Sequence, residues 1–275
     1  IIGWPEKVIT PNLTIPMTTL SKNRGVHVFT ISKAINSNLG MKSNVHRTRN
    51  LLTDKAKAIS VERCPKLLNH LKHQGASKVV VFVEEKKFVV DAEINRQNSR
   101  VIAFEPFAVP PVLKTKNPAS VMVFVAVASN GSIMPPQFVE TDLKINTVEY
   151  VHILEEVLFP WMDEKFCLDN VVLIQDSAPY HGSKTTQTLL ARKVPNFVKA
   201  QNWPSNNPDL SLLDYFLWGV LQERVNEHSH GSVDQLKASI IKKCKKIPAS
   251  DVVAAARKFR ARVGDVIEAK GGHIE

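Results

Sequence analysis

Three short, nearly unbroken apolar runs constrain the fold most: VVVFV opening residues 79–91, SVMVFVAVA within 119–140, and VVLIQ within 170–176. Strands with one wet face alternate apolar and polar side chains, whereas strands buried on both faces read as continuous apolar runs. The first run, VVVFVEEKKFVVD (79–91), is interrupted by Glu84 and Glu85. Burying a carboxylate costs several kcal/mol unless it is paired, hydrogen-bonded or bound to a metal. The two acids therefore mark a surface position, a turn or a site. Read locally, residues 78–83 and 87–91 form a hairpin around them, followed by a strand at RVIAFEP (100–106). A Ser-Asn-Gly turn then joins the 119–140 strand to its successor.

Helical periodicity accounts for most of the rest. NTVEYVHILEEVLFPWMDEKF predicts a helix with Val148, Val151, Leu154 and Leu158 on one face, and further helices fall at 183–192, 211–226, 233–247 and 250–268. TDKAKAISVERCPKLLNHLKHQG (53–75) predicts a helix capped by Thr53 and stopped by Gly75, kinked or split at Pro65. Antiparallel strands followed by alternating helices and strands indicate an α/β or α+β layer fold with a mixed sheet.

The 275 residues suffice for one large domain or two smaller ones. No apolar stretch reaches the length of a membrane span, and IIGWPEKVITPN is no signal peptide. The missing initiator methionine suggests a truncated chain. Cys64, Cys167 and Cys244 are too few and too scattered for a disulfide framework or a zinc site, which fits a reducing compartment.

Charge is segregated. Residues 1–78 hold 13 Lys/Arg against 3 Asp/Glu, residues 79–236 hold 13 against 19, and residues 237–275 hold 10 against 4. Clustered cations suit a polyanion, most often nucleic acid; lysine-rich solvated helix faces are the plainer alternative. In the basic N-terminal part, MTTLSKNRGVHVFTISKAINSNLG (17–40) reads as two short helices about a glycine turn. Thr30 would cap the second, with Ile31, Ala34, Ile35 and Leu39 on one face. Such a pair matches a helix-turn-helix, whose second helix enters the DNA major groove. Lys33 on that helix, and Lys42, Arg47 and Arg49 in the basic segment after it, are the candidate DNA-contacting cations. KKCKK (242–246) is the polar face of an amphipathic helix, with a DNA-backbone or nuclear-import role as the second reading.

Acids supply the candidate chemistry. Asp176 closes an apolar strand, where ligands of α/β sheets gather, although a turn or helix-capping aspartate fits equally. Asp209 reads as the cap of a helix beginning near Ser211. Asp214 lies one turn inside that helix among Leu212, Leu213, Tyr215, Phe216, Leu217 and Trp218. In so apolar a helix it is expected to be buried and to need a cation, or a metal shared with Asp176. Acids at 84, 176 and 214 could converge around divalent metal, which in pairs clamps an in-line phosphodiester displacement. His181 could assist a metal-bound water, with a structural hydrogen bond in a turn as the plainer role.

Taken together, VVLIQDSAPYH and NWPSNNPDLSLLDYFLWG resemble the catalytic core of mariner-type transposases, in the DDE transposase/integrase superfamily with an RNase H-like fold. EINRQNSR and LGMKSNVHRTRNLLT share the resemblance, which spans roughly residues 15–275. It implies an RNase H-like mixed sheet flanked by helices after an all-α helix-turn-helix segment. The implied divisions are a partial helix-turn-helix and basic linker (1–52), a connecting helix (53–76), the catalytic domain (77–230) and C-terminal helices (231–275). It assigns Asp176 and Asp214 as the second and third metal-binding acids, and Glu84 as the first, where the family carries aspartate. Glu85 is then the family's own glutamate, on the opposite face of the strand from Glu84. Two Mg²⁺ or Mn²⁺ ions are implied, with Glu84, Asp176 and Asp214 as both catalytic residues and ligands. The implied activity is hydrolysis of DNA at transposon ends, followed by in-line attack of the freed 3′-hydroxyl on target DNA. The implied partners are double-stranded DNA and a second copy of the chain, with no membrane, in the nucleus. Glu84 adds a methylene and moves the carboxylate by about 1.5 Å. Leu212 replaces a family proline, Pro65 interrupts a helix that the family runs straight, and the family's first N-terminal helix-turn-helix is missing. A truncated or decayed copy that binds DNA without cutting it is therefore the alternative. A glycosidase, also a two-acid enzyme, would leave the basic N-terminus without a role.

Overall fold

The apolar runs form one four-stranded sheet in the computed structural model, which describes residues 16–42, 50–73, 78–93, 111, 113–139, 145–204 and 207–274. Strands β1 (Val79–Val89), β2 (Ser120–Ala128), β3 (Gln137–Val139) and β4 (Val171–Gln175) lie in the order β3-β2-β1-β4. β1 and β2 are antiparallel, as are β2 and β3, while β1 and β4 run parallel. The mixed sheet expected from the sequence is present, and β4 gains a parallel bridge to Phe197 at its outer edge.

Glu84 and Glu85 do not make a turn. β1 runs unbroken through them, paired with β2 from Val81 to Val89 but with β4 only as far as Val83↔Gln175. Both glutamates thus lie where β1 outruns β4, and the open flank gives charged side chains somewhere to go. The strand expected at 100–106, the stop at Gly75, and the cations Arg47 and Arg49 fall outside the described residues.

Helices cover both faces of the sheet. Phe82, Phe88, Val123, Val125 and Ile174 pack against Leu67 of α3 (Asp54–His73), Trp218 and Leu221 of α7 (Trp218–Val225), Leu236 of α8 (Val233–Cys244) and Phe259 of α9 (Ala249–Glu268). On the other face, Val81, Val83, Phe124, Ala126 and Leu173 meet α4 (Thr147–Ile153), α5 (Phe159–Phe166) and α6 (Lys184–Lys193). Thr53 caps α3 as expected, its Oγ1 accepting from the Ala56 amide at 3.2 Å. That helix runs continuously through the exposed Pro65 instead of splitting. Between α4 and α5 the chain widens into a π-helical turn, Leu154–Leu158, just ahead of Pro160, which cannot donate a backbone hydrogen bond. The face turned inward is Tyr150, Ile153, Leu154 and Leu158, while Val148, expected in the stripe, is 76% exposed.

The C-terminus closes one side of this layer. Phe259 meets Phe82 edge-on at 4.9 Å, and Arg262 donates through Nε to the Asp209 carbonyl at 2.7 Å. Gly271, at φ 78°, lies so close to α3 that a Cβ would stand 2.2 Å from the Lys57 carbonyl oxygen. His273 Nε2 bonds the Asn50 carbonyl at 2.9 Å. Asp209 does not cap a helix; its carboxylate accepts from the Ile274 amide at 3.2 Å and so fastens the tail. None of the described helices is long and apolar enough to cross a membrane.

The chain divides into two units, Ile1–Arg49 and Asn50–Glu275. All of the sheet belongs to the second. In the first, α1 (Met17–Arg24) ends at Gly25, whose φ of 61° makes the tight left-handed stop, and α2 (Val28–Lys33) follows, extended by a π turn at Ala34–Asn38. His27, not Thr30, caps α2 by accepting from the Phe29 amide; Thr30 lies within the helix. Leu20, Ile31 and Ile35 form a small core that Leu39 supports. Lys33 and Lys42 are exposed.

Candidate active site

Asp176 is the first residue beyond β4, at the carboxyl end of the parallel pair β1/β4, the edge where α/β sheets bind ligands. Asp214 sits in a π-helical turn, Leu213–Leu217, that leads into α7. π turns interrupt helices at functional sites more often than elsewhere. Asp176 and Asp214 line one cavity of about 320 Å³, with Asn50, Ser177, Trp203, Asn207 and Ser211 among its walls. Asp214 is not buried as its apolar neighbours suggested. Leu213, Leu217 and Trp218 are buried, whereas the aspartate faces the open cavity.

Glu84 reaches the same place from β1. Its Oε2 accepts from Ser211 Oγ at 2.6 Å and from Trp218 Nε1 at 3.2 Å. Burial, then the negative charge of Asp214, pushes the Glu84 carboxyl up to about 9, with a smaller push from Asp176. Asp214 is raised too, because surrounding protein strips away part of its water even though the carboxylate opens on the cavity; its hydrogen bond with Glu84 and the charge of Lys86 work against the rise. Each acid makes ionisation of the other costlier, because two adjacent carboxylates cannot both ionise cheaply. The three sequence-predicted acids are therefore brought together, and they repel one another.

Glu85 points to the opposite face, as strand alternation requires. Its Oε2 accepts from Tyr180 at 3.1 Å, and its Oε1 lies 3.4 Å from His181 Nε2. The other ring nitrogen of His181 is 2.5 Å from Asp176 Oδ1, which also accepts from the Ala178 amide at 3.0 Å. Burial alone would lower the His181 pKa, but the hydrogen bonds and charges of Asp176 and Glu85 outweigh it and push the ring up to about 9. Asp176 responds in kind: burial would raise it, and the His181 bond and charge hold it below the usual carboxylate value. His181 thus bridges two carboxylates, and both favour its protonated form. The sequence reading left Glu85 as a neighbour facing away and His181 as a turn residue. It had no local signal that they meet, since they stand 96 residues apart.

The donor set is three carboxylates, hard oxygen ligands of the kind Mg²⁺ and Mn²⁺ prefer, and the repulsion that raises Glu84 and Asp214 is what a divalent cation relieves. A second sign of capacity for a ligand is Asn207. It is 5% exposed in the cavity wall, and neither of its amide atoms has a partner among the described residues. Among those residues, no three His, Cys, Asp or Glu side chains stand ready-spaced as a metal cage. Glu84 spends Oε2 on Ser211 and Trp218, and Asp176 spends Oδ1 on His181 and Ala178. Lys33 and Lys42 belong to the other unit and are described with it.

The family model described as DDE superfamily endonuclease matches residues 79–237, more than half of the chain and all three acids. Among solved structures, the Mos1 transposase paired-end complex with left transposon end is similar over 100% of this chain and 80% of that one, with a TM-score of 0.80 at 16% identity. The Mos1 strand transfer complex gives 0.79 at 17% identity, covering 100% and 79%. The catalytic domain of Mos1 mariner transposase gives 0.61 at 16%, covering 83% of this chain and 100% of that one. At such identities the likeness is one of fold, and that fold is RNase H-like. No curated protein matches the sequence significantly.

Proposed function

The chain belongs to the DDE superfamily endonucleases, and from that premise we propose that it is a mariner-type DNA transposase, binding transposon ends and cutting and joining DNA strands with divalent metal. One observation carries the reading. Asp176 and Asp214, from elements 38 positions apart in the sequence, line one cavity beside Glu84 at the carboxyl end of the parallel strands. The likeness to Mos1 complexes with transposon-end DNA supports the choice of substrate, and those solved with Mn and Mg support the choice of metal.

In this reading Glu84, Asp176 and Asp214 hold the ions. When bound, the ions stabilise negative charge gathering on the scissile phosphate. The rest of the work falls to the chain. Asp176, tied through one oxygen, presents a fixed carboxylate to the cavity. Ser211 and Trp218 hold Glu84 close to Asp214, and the buried Asn207 amide in the cavity wall has hydrogen bonds still to make among the described residues. Lys33 and Lys42 in the N-terminal unit, with Arg47 and Arg49, supply phosphate contacts to double-stranded DNA, which two copies of the chain would bring together in the nucleus.

A second reading, a DNA-binding remnant that no longer cuts, is favoured by Glu84 itself: it is longer than the family's aspartate and already satisfied by two donors. Nicking of supercoiled DNA in Mn²⁺ or Mg²⁺ decides between the two. The transposase reading expects metal-dependent nicking that Asp176→Asn and Asp214→Asn each remove. Duplex binding with no nicking in either metal would leave the remnant.

A further inference from the structure

Glu85 and His181 lie outside the acidic trio, yet they hold one of its members. We propose that Glu85 is a positioning residue, which acts through the His181 ring to fix the rotation of the Asp176 carboxylate and turn Oδ2 toward the cavity. The inference rests on the reading of Asp176 as a cation ligand.

Asp176 has no place in the sheet ladder, because pairing of β4 with β1 ends at Val83↔Gln175. Its side-chain contacts are left to orient it. Oδ1 takes the Ala178 amide and His181 Nδ1, so that oxygen is saturated; Oδ2 has no partner among the described residues. The Asp176 side chain is 40% exposed, while that of His181 is fully buried and that of Glu85 is 6% exposed. The open end of the relay is therefore at the cavity and its anchored end is inside.

The relay is rigid along its length. Glu85 stands in a strand, opposite Phe124 of β2. The His181 ring is flanked by Tyr150 and Tyr180, with centroids 4.4 and 4.6 Å away. Its backbone carbonyl accepts from Gln175 Nε2 at 3.3 Å and Gln187 Nε2 at 2.9 Å, and Tyr150 in turn donates to Gln175 at 2.8 Å. A ring packed against two tyrosines and held at its backbone can transmit the placement of Glu85 to Asp176. Strand alternation lets β1 serve the site twice, with Glu84 sent toward Ser211 and Asp214 and Glu85 sent toward His181.

The test is Mn²⁺ binding by the full chain, read from the electron paramagnetic resonance of free Mn²⁺, alongside thermal unfolding. Outer partners of metal ligands are worth roughly 10- to 100-fold in metal affinity. Glu85→Gln keeps the length and an acceptor for Tyr180, and is expected to bind Mn²⁺ about 10-fold more weakly. Asp176→Asn is expected to bind more weakly still. Adding Glu85→Gln to Asp176→Asn should weaken binding no further, because Glu85 acts only through Asp176. His181→Gln serves as a second probe of the same relay. Wild-type affinity in Glu85→Gln, whatever its melting temperature, would make Glu85 a structural residue and overturn the proposal while leaving the site intact. No Mn²⁺ binding by the wild-type chain would overturn the site and the positioning role together.

Discussion

Glu84 and Glu85 are one residue apart on the same strand and live in opposite electrostatic worlds. Glu84 meets two neutral donors and other acids, and its carboxyl is pushed up to about 9. Glu85 meets an imidazolium and a phenol. Their burial is similar, so solvent does not separate them; what separates them is the sign of the charge that the rest of the fold delivers to each face. A buried acid given a cation is part of the scaffold. One given more acids carries an unmet demand for positive charge.

That contrast can be broken most forcefully at Glu84. If the extra methylene misplaces a ligand, Glu84→Asp should raise Mn²⁺-dependent nicking by up to about 10²-fold, the usual cost of a 1 Å error in a catalytic site. An unchanged or lower rate would show that the longer side chain is part of a working site. On the other face, His181→Ala leaves Asp176 and Glu85 without their shared cation. Breaking a buried pair costs about 3–5 kcal/mol, or roughly 10 °C in melting temperature for a domain of this size. A loss under about 1 kcal/mol in denaturant titrations would mean that water already solvates the pair.

The pH dependence of stability separates the two faces by window. Glu84 goes from 4.5 unfolded to about 9 folded, so the folded state holds the extra proton between those values and stability falls as pH rises through them. His181 goes from 6.5 to about 9, and its contribution, full below 6.5, is also lost toward 9. Between pH 4.5 and 6.5 the decline comes from Glu84, with the raised Asp214 adding in the same direction, and not from His181. Denaturant unfolding in chelator should show a decline there that Glu84→Gln flattens, and an unaltered slope would remove Glu84 as its source.

The smallest effect is the sharpest comparison. Tyr180→Phe deletes one donor to Glu85, and Ser211→Ala deletes one donor to Glu84. Hydrogen bonds to charged groups are worth about 1.5–3 kcal/mol and those to neutral groups about 0.5–1.5. Tyr180→Phe should therefore cost more than Ser211→Ala at neutral pH. Equal costs would mean that the opposite surroundings of the two glutamates do not set the worth of either bond.

The sequence made the sheet legible because VVLI and VMVFVAVA have no polar residue to misplace. Asp176 was legible for a related reason: a charge that ends such a run must leave the core. The glutamates misled as to their local structure, since inside an apolar run charges mimic a turn, and the open flank that admits them depends on where β4 stops. Val148 misled because the π turn at Leu154–Leu158 breaks the simple helical count. The Glu85–His181 contact could not be read at all, since nothing near either residue specifies its partner.

The tail that bonds Asn50 and Asp209 sets an order of events during synthesis. Phe82, beside the first acid, is covered by Phe259, and the turn leading to Asp214 is held by Arg262 and Ile274. Chains are made and folded from the N-terminus at about 5–20 residues per second. The acids are therefore translated well before the helix and tail that lock them in place, and a growing chain carries all three without a finished site.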